Sequence, residues 1–369
     1  LFYSERENIR KAGKESMSLQ VDIKKRWKGF SLQVRFETGE GLLGILGASG
    51  CGKSMTLKSI AGIVTPDEGR ILLNGRTLFD SEKKINLKPR DRKVGYLFQD
   101  YALFPNMTVK QNISCAVRGK DKERMAEEQI QNFQLEGLED QYPHQLSGGQ
   151  KQRTALARMM ANEPEALLLD EPFSALDYYL KEQLQVQMLD FLKDCKKDMI
   201  LVTHNRDEVY RLCGDLLIMD GGEKIRMGPT KEIFRYPGCV AAARLTGCKN
   251  FSRARKLDDT HVEALDWGIV LTAGKQVPDA VSSVGIRAHY FIACQDDSRE
   301  NTFPAELVET VESPFEMNVV IRKKGMPGHD RREQIWWKMA KEKWAGMEGK
   351  VPEFLRVSPE DVLLLTDRP

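Results

Sequence analysis

Gly47-Ala48-Ser49-Gly50-Cys51-Gly52-Lys53-Ser54 follows the apolar run Leu42-Leu43-Gly44-Ile45-Leu46 and leads into Met55-Thr56-Leu57-Lys58-Ser59-Ile60. The order is strand, glycine-rich turn and helix start, the setting in which G-x-x-x-x-G-K-[ST] binds phosphate. Glycines let the backbone curl until successive N–H groups face inward as an anion nest, and the helix adds its positive end. Lys53 supplies a mobile charge for outer phosphates, and the Ser54 hydroxyl can join a Mg2+ shell. A second group of polar residues closes the run Glu165-Ala166-Leu167-Leu168-Leu169, where Asp170 and Glu171 precede Pro172. Beside a phosphate loop, at the carboxyl edge of a parallel sheet, Asp170 is placed to hold Mg2+ directly or through water. Glu171, one residue on and so on the other side of the strand, can point at an attacking water.

Three further positions could serve the same chemistry. Gln99 ends Val94-Gly95-Tyr96-Leu97-Phe98, and its amide can reach a metal or a water, although alone it is an ordinary strand end. His204 closes Met199-Ile200-Leu201-Val202-Thr203, where a histidine can sense or orient a terminal phosphate. Taken alone it is a core or edge histidine. Leu146-Ser147-Gly148-Gly149-Gln150 precedes a helix that puts Ala155, Leu156, Met159 and Met160 on one face and stops before Pro164. Ser147 stands at the N-cap, with two glycines leaving the first N–H groups bare. The result is either a plain capped end or a second anion site.

These residues need a sheet to carry them. Leu19, Val21 and Ile23 alternate with polar residues, as do Phe30, Leu32, Val34 and Phe36, which reads as a hairpin entering the sheet edge. Trp27, at the turn between them, can stack on a purine ring or simply pack. Arg70 to Gly75 is a strand closing on Asn-Gly, and Leu216 to Gly222 another. The uninterrupted apolar runs at 42–46, 166–169 and 199–203 are strands buried on both faces, as in parallel sheets. Between about 106 and 162 the pattern turns helical, and a long helix is expected over about 178–194.

Composition narrows the class. A chain of 369 residues accommodates two or more domains, and a net charge of +2 exerts no general pull toward nucleic acid. No apolar segment approaches the ~18–20 residues that span a bilayer. Seven cysteines are scattered singly without CxxC pairs, so no zinc site or disulfide framework is suggested, and free thiols fit a reducing cytosol. Residues 1–16 are polar and charged, without a signal-peptide core. They read as a disordered extension or a vector-derived remnant ahead of the first patterned segment at Met17.

Together these residues resemble an ATP-binding cassette (ABC) ATPase. The family's parts stand in its order: Walker A at Gly47–Ser54, Q-loop Gln99, signature Leu146–Gln150, Walker B Leu167–Asp170 with Glu171, D-loop Ser174–Asp177, and switch His204. The resemblance covers about 17–245 and implies an α/β P-loop NTPase cassette with a helical subdomain at about 106–162. It implies ATP and Mg2+ as ligands, with Gly47 to Ser54, Gln99, Ser147, Gly148, Gly149, Gln150, Asp177 and Trp27 around the nucleotide. Ser54, Gln99 and Asp170 would stand near the metal. Glu171 would be the general base, and His204 with Gln99 would read the γ-phosphate. One chain carries two half-sites, so a head-to-tail homodimer is implied, with Ser147-Gly148-Gly149 of one subunit closing over the loop of the other. Met55 departs from the family's hydroxyl residue, and the adenine platform is poorly defined, with Phe30 second to Trp27.

Within the family, the absence of a fused membrane domain, a long coiled coil or a second cassette points to an importer subunit. Such a subunit docks on two separate membrane permease subunits at the cytoplasmic face of the cell membrane and is served indirectly by a substrate-binding protein. Leu73 to Asp80, Asn86 to Pro105 and Thr246-Gly247-Cys248-Lys249-Asn250 look most similar to the molybdate importer ATPases, and sulfate, polyamine and sugar importers share much of the wording. Tyr101 to Pro105 would be the permease contact, exposed and apolar-aromatic. From 250 to 369 short strands with Gly and Pro turns suggest a small β-barrel. It resembles the OB-like (TOBE/MOP-type) regulatory domain of importer ATPases. Trp336, Trp337 and Trp344 with nearby lysines leave a minor nucleic-acid reading open. The main reading makes them core and dimer-contact residues or part of an oxyanion site, with no nucleic acid expected.

Overall fold

The computed structural model describes residues 18–39, 41–117, 121–174, 181–182, 185–186, 197–328 and 330–367. Residues 1–16, Asp177 and most of the helix expected over 178–194 lie outside the described residues. The chain divides into two compact units, Leu1–Thr230 and Lys231–Pro369.

The first unit is built on an eleven-stranded sheet. Its strands are β1 (Leu19–Trp27), β2 (Phe30–Glu37), β3 (Leu42–Gly47), β4 (Glu68–Leu73), β5 (Arg76–Asp80), β6 (Ile85–Asn86), β7 (Val94–Leu97), β8 (Ala166–Asp170), β9 (Asp198–Thr203), β10 (Asp215–Asp220) and β11 (Glu223–Pro229). Their order is β6-β5-β4-β1-β2-β11-β10-β3-β9-β8-β7. The half from β10 to β7 is parallel. Every residue of β3, β8 and β9 is buried, which is why these strands read as unbroken apolar runs. Parallel pairing brings the carboxyl ends of β3, β9, β8 and β7 to one edge of the sheet, where open α/β folds bind ligands.

The β1–β2 hairpin does not enter at the sheet edge. β1 pairs with β4 from Leu19↔Leu73 to Lys24↔Glu68, and β2 meets β11 at Glu223↔Gln33, so the hairpin is interior. Alternating burial of Leu19, Val21 and Ile23 specifies one covered face but leaves open which neighbours satisfy the two outer ladders. Helices among the described residues include α1 (Lys53–Ala61), α2 (Val109–Ser114), α3 (Lys122–Asn132), α4 (Gly148–Met160) and α5 (Arg206–Leu212). α2, α3 and α4 gather around Val109, Ile113, Ala126, Ile130, Leu146 and Ala157, a core separate from that of the sheet. On α4, Met160 is only half-buried and the inner face runs through Gln152, Thr154 to Ala157 and Met159.

α6 (Thr230–Arg235) and α7 (Val240–Leu245) precede the strands of the second unit. These are β12 (Asn250–Lys256), β13 (His261–Ala264), β14 (Ile269–Thr272), β15 (Ser283–Ile286), β16 (Ile292–Cys294), β17 (Thr302–Glu312), β18 (Glu316–Lys323), β19 (Ile335–Ala340), β20 (Phe354–Arg356) and β21 (Leu363–Leu365), with α8 (Lys341–Gly346) after β19. They form two five-stranded sheets, ordered β14-β13-β12-β15-β21 and β16-β20-β17-β18-β19, with one shared core. This is an all-β arrangement of the OB-like kind. β12, β13 and β16 carry weak sequence signals, because Arg253, Arg255 and Lys256 break the apolar alternation of β12 and the others are four and three residues long.

The tryptophans divide. Trp337 is buried and donates from Nε1 to the Phe291 carbonyl at 3.0 Å, so its face is closed to a stacked base. Trp336 is half-buried under the Lys249 ammonium, and Trp344 packs on the core. Thr246 and Asn250 are structural: Arg287 Nη1 donates to the Thr246 carbonyl at 2.6 Å, and the Asn250 amide brackets the Trp336 backbone at 2.7 and 2.8 Å. No described helix is long and apolar enough to cross a membrane.

Candidate functional site

β3 ends on Gly47, and the chain then curls through Gly50 (φ 79°) and Gly52 (φ 102°), left-handed positions that suit glycine. A Cβ on Gly47 would lie 2.4 Å from the Met219 carbonyl oxygen and 2.5 Å from Cys51 Sγ. Among the described residues no side chain caps α1, and no acidic residue occupies its first turn. Its first N–H groups are therefore free of side-chain acceptors and suited to an anion. The Lys53 side chain is buried and folds back on its own loop, donating to the Gly47 carbonyl at 2.8 Å and the Ala48 carbonyl at 2.9 Å. Met55 packs against the sheet core, and the next hydroxyl, on Thr56, is turned to the Gly52 carbonyl at 3.1 Å.

Asp170 ends β8 and is 5 % exposed. Ser54 Oγ donates to its Oδ1 at 2.8 Å, and the Tyr96 hydroxyl donates to Oδ2 at 2.7 Å. Burial and the adjacent Asp170 carboxylate push the Tyr96 phenol far up, so it stays a donor. Tyr96 has no distinguishing mark in the sequence; it lies one strand over from Asp170, and only the β7–β8 pairing makes them neighbours. Glu171 lies beyond the strand, with φ 47°, its N–H donating to the Val202 carbonyl at 2.9 Å. Its direction is therefore set by a left-handed turn, not by strand alternation, at a strain of about 1 kcal/mol. Its Oε1 stands 3.1 Å from His204 Nδ1. Glu171, Ser174 and His204 line a cavity of about 110 Å³ together with Phe173, Lys181, Thr203 and Glu208.

The remaining candidates differ in how they stand to this group. Gln99 is exposed on the turn after β7, which stops at Leu97. Ser147 caps α4 as expected, but the helix end is not bare. Ser147 Oγ accepts from the Gln150 N–H at 3.3 Å, and Gln150 Oε1 accepts from the Ser147 N–H at 2.8 Å. This capping box occupies the Gln150 side chain and leaves Gly148 and Gly149 as the available N–H groups. Among the described residues, no hydrogen bond joins Ser147 to Gln150 with the phosphate loop, Asp170 or Glu171. Phe30 Cζ lies 3.1 Å from the position a Cβ on Gly52 would take, and Trp27 stands behind it with ring centroids 5.9 Å apart. In the stretch expected to be exposed, Phe104 is open but Tyr101 is buried. Tyr101 and Ala102 have φ of 61° and 44°, and Arg158 of α4 holds their carbonyls at 2.8 Å each.

The arrangement puts an anion nest, a cation, a hydroxyl–carboxylate pair and an acid–imidazole pair on one sheet edge. That set suits a metal-bound polyphosphate and an attacking water. Comparison with known proteins agrees. A family profile described as ABC transporter matches residues 30–174. Over 242 residues the chain is 37 % identical to a probable sulfate/thiosulfate import ATP-binding protein of Chlorella vulgaris, covering 63 % of this chain and 100 % of that one. It is 35 % identical over 223 residues to a molybdenum import ATP-binding protein of Paramagnetospirillum magneticum, covering 60 % and 61 %. It is 32 % identical over 321 residues to a spermidine/putrescine import ATP-binding protein of Oleidesulfovibrio alaskensis, covering 82 % and 83 %. Among solved structures it is similar to cbiO1 of Clostridium perfringens, part of the ABC transporter complex cbiONQ. There the TM-score is 0.52 and the identity 29 %, over 58 % of this chain and 90 % of that one.

Proposed function

This chain belongs to the ATP-hydrolysing subunits of ABC importers, and from that premise we propose how its own residues divide the work. Gly47 to Ser54 cradle the phosphates, and Lys53 exchanges its loop carbonyls for phosphate oxygens. Ser54 and Asp170 would hold Mg2+. The donor set fits, because a hydroxyl and a carboxylate oxygen already stand 2.8 Å apart at the loop. Among the described residues no group of three His, Cys, Asp or Glu side chains converges as a metal cage. Mg2+ takes few protein ligands and completes its shell with phosphate and water, so that is the expected pattern. When bound, the ion neutralises phosphate charge.

Glu171 takes the proton of the attacking water, and His204, 3.1 Å from its carboxylate, orients it toward the terminal phosphate. Gln99, from its turn, would reach the metal or the water. The contact between Glu171 and His204 is the observation that carries this reading. Phe30 against Gly52, with Trp27 behind it, is the aromatic wall for adenine. Ser147, Gly148 and Gly149 close over the nucleotide of a second copy, and Asp177 links the two sites. The separation of signature and loop within one chain supports a head-to-tail homodimer.

The dimer works on two permease subunits at the cytoplasmic face of the membrane, fed by a substrate-binding protein. Molybdate is the proposed cargo, supported by the wording of residues 73–105 and by the molybdenum-import relative. Sulfate is the second reading, favoured by the relative that this chain covers in full. Glu171→Gln tests the core of the proposal: it should bind MgATP, lose turnover at least about a hundredfold and accumulate dimer. Normal turnover would overturn the base assignment. Radiolabelled molybdate and sulfate uptake in cells lacking the chain separates the two cargoes.

A further inference from the structure

The cavity beside Glu171 and His204 has a second wall that phosphate chemistry does not explain. Thr203, the last residue of β9, is 2 % exposed. Its Oγ1 donates to Glu208 Oε2 at 2.5 Å and accepts from the Asn205 N–H at 3.0 Å. One hydroxyl therefore ties down the residues on both sides of His204. Glu208, on α5, is 3 % exposed, and its other oxygen pairs with Lys181 at 2.5 Å. Lys181 is itself largely covered, with its side chain 22 % exposed. Thr203, Glu208 and Lys181 all line the cavity whose other residues include Glu171 and His204.

A buried ion pair is a costly way to fill space, since apolar side chains of similar volume do it as well or better. Two features give the pair a local use. Lys181 compensates a carboxylate that would otherwise repel the Glu171 carboxylate across the same cavity. Glu208, so held, orients the Thr203 hydroxyl, whose lone pair then fixes the His204–Asn205 peptide. Asn205 in turn caps α5 by accepting from the Asp207 N–H at 2.9 Å. His204 itself is largely exposed. A side chain so little covered depends on its backbone for much of its aim at Glu171.

We propose that Lys181, Glu208 and Thr203 form a relay of positioning residues that sets His204 against Glu171 for the hydrolytic step. The relay rests on the roles proposed above for Glu171 and His204. It acts on the turnover step and leaves nucleotide binding alone, because Lys53, Ser54 and Asp170 stand outside it.

The test compares Thr203→Val, which keeps the shape and loses the hydroxyl, with Thr203→Ser, which keeps the hydroxyl. Steady-state ATPase kinetics and MgATP binding are measured on the full chain. Thr203→Val should lower kcat about tenfold with KM for ATP within about twofold, as expected when a catalytic group is misaligned. Thr203→Ser should stay within about twofold of the parent. Glu208→Gln keeps an acceptor for Thr203 but strands Lys181, and should lower kcat without changing MgATP binding. The relay is wrong if Thr203→Val keeps its kcat, if Thr203→Ser falls as far as the valine variant, or if the loss is in KM alone. Glu171→Gln is run alongside. An active Glu171→Gln would bring down the base assignment, whereas an inactive one beside a fully active Thr203→Val would bring down only the relay.

Discussion

Arg92→Met asks how the phosphate-loop helix is held from behind. Arg92 is fully buried, and among the described residues no carboxylate accepts from it, yet each of its three guanidinium nitrogens donates a hydrogen bond. Nε donates to the Leu87 carbonyl at 2.9 Å, Nη1 to the Ser59 and Ile60 carbonyls at 2.8 and 2.7 Å, and Nη2 to Asn86 Oδ1 at 2.8 Å. Ser59 and Ile60 belong to the last turn of α1, the end that carries negative partial charge, so a cation there is doubly favoured. Burial pushes the guanidinium down to about 10, and it stays charged at neutral pH. Methionine keeps the stem and leaves these acceptors without the donor. Four bonds at a net of about 1 kcal/mol each give about 4 kcal/mol, and relief of the desolvated charge returns part of it, leaving about 3 kcal/mol. Arg92→Lys, whose ammonium cannot span the fork, should lose about 2 kcal/mol. Urea unfolding followed by circular dichroism reads the loss, and MgATP affinity should drop with it because Lys53 and Ser54 start the same helix. A methionine variant as stable as the parent would refute the reasoning and show that desolvation outweighs the four bonds.

Gly47→Ala should abolish MgATP binding, since the added Cβ meets backbone at 2.4 Å and the loop must shift; calorimetric titration with MgATP checks it, and parent-like affinity would contradict the close approach. Tyr96→Phe strips one donor from the buried Asp170 carboxylate and should cost about 1.5–3 kcal/mol in urea unfolding. Asp198 is buried, with Thr38 Oγ1 donating to it at 2.8 Å, and burial raises its carboxyl above the ordinary aspartate value. The folded state therefore holds this proton more tightly than the unfolded chain. The associated stability is present below the unfolded pKa and is lost as pH rises through the folded one. Asp198→Asn should remove that slope from urea midpoints measured from pH 4 to 7, and parallel curves for both proteins would exclude it.

Several of these residues are legible in the amino-acid sequence alone, and others are not, for a definable reason. Gly47 to Ser54, the closing carboxylates Asp170 and Glu171 and the cap at Ser147 are local patterns. A turn at φ 79° or 102° suits glycine, a strand covered on both faces is mostly apolar, and the start of α4 is capped by residues three apart. Such constraints are satisfied within one stretch of chain, so the sequence by itself determined the loop and the buried strands. The partners of those residues were decided by tertiary structure. Ser54 and Asp170 are 116 positions apart, Tyr96 and Asp170 are 74 apart, and Arg92 reaches back 33 positions to Ser59. No periodicity records which strand lies beside which. The order β10-β3-β9-β8-β7 brings the loop, Asp170, Glu171 and His204 to one edge, and the same order makes a tyrosine on β7 a partner of the carboxylate on β8. The direction of Glu171 was likewise beyond strand alternation, because a left-handed turn at φ 47° and a hydrogen bond to β9 set it.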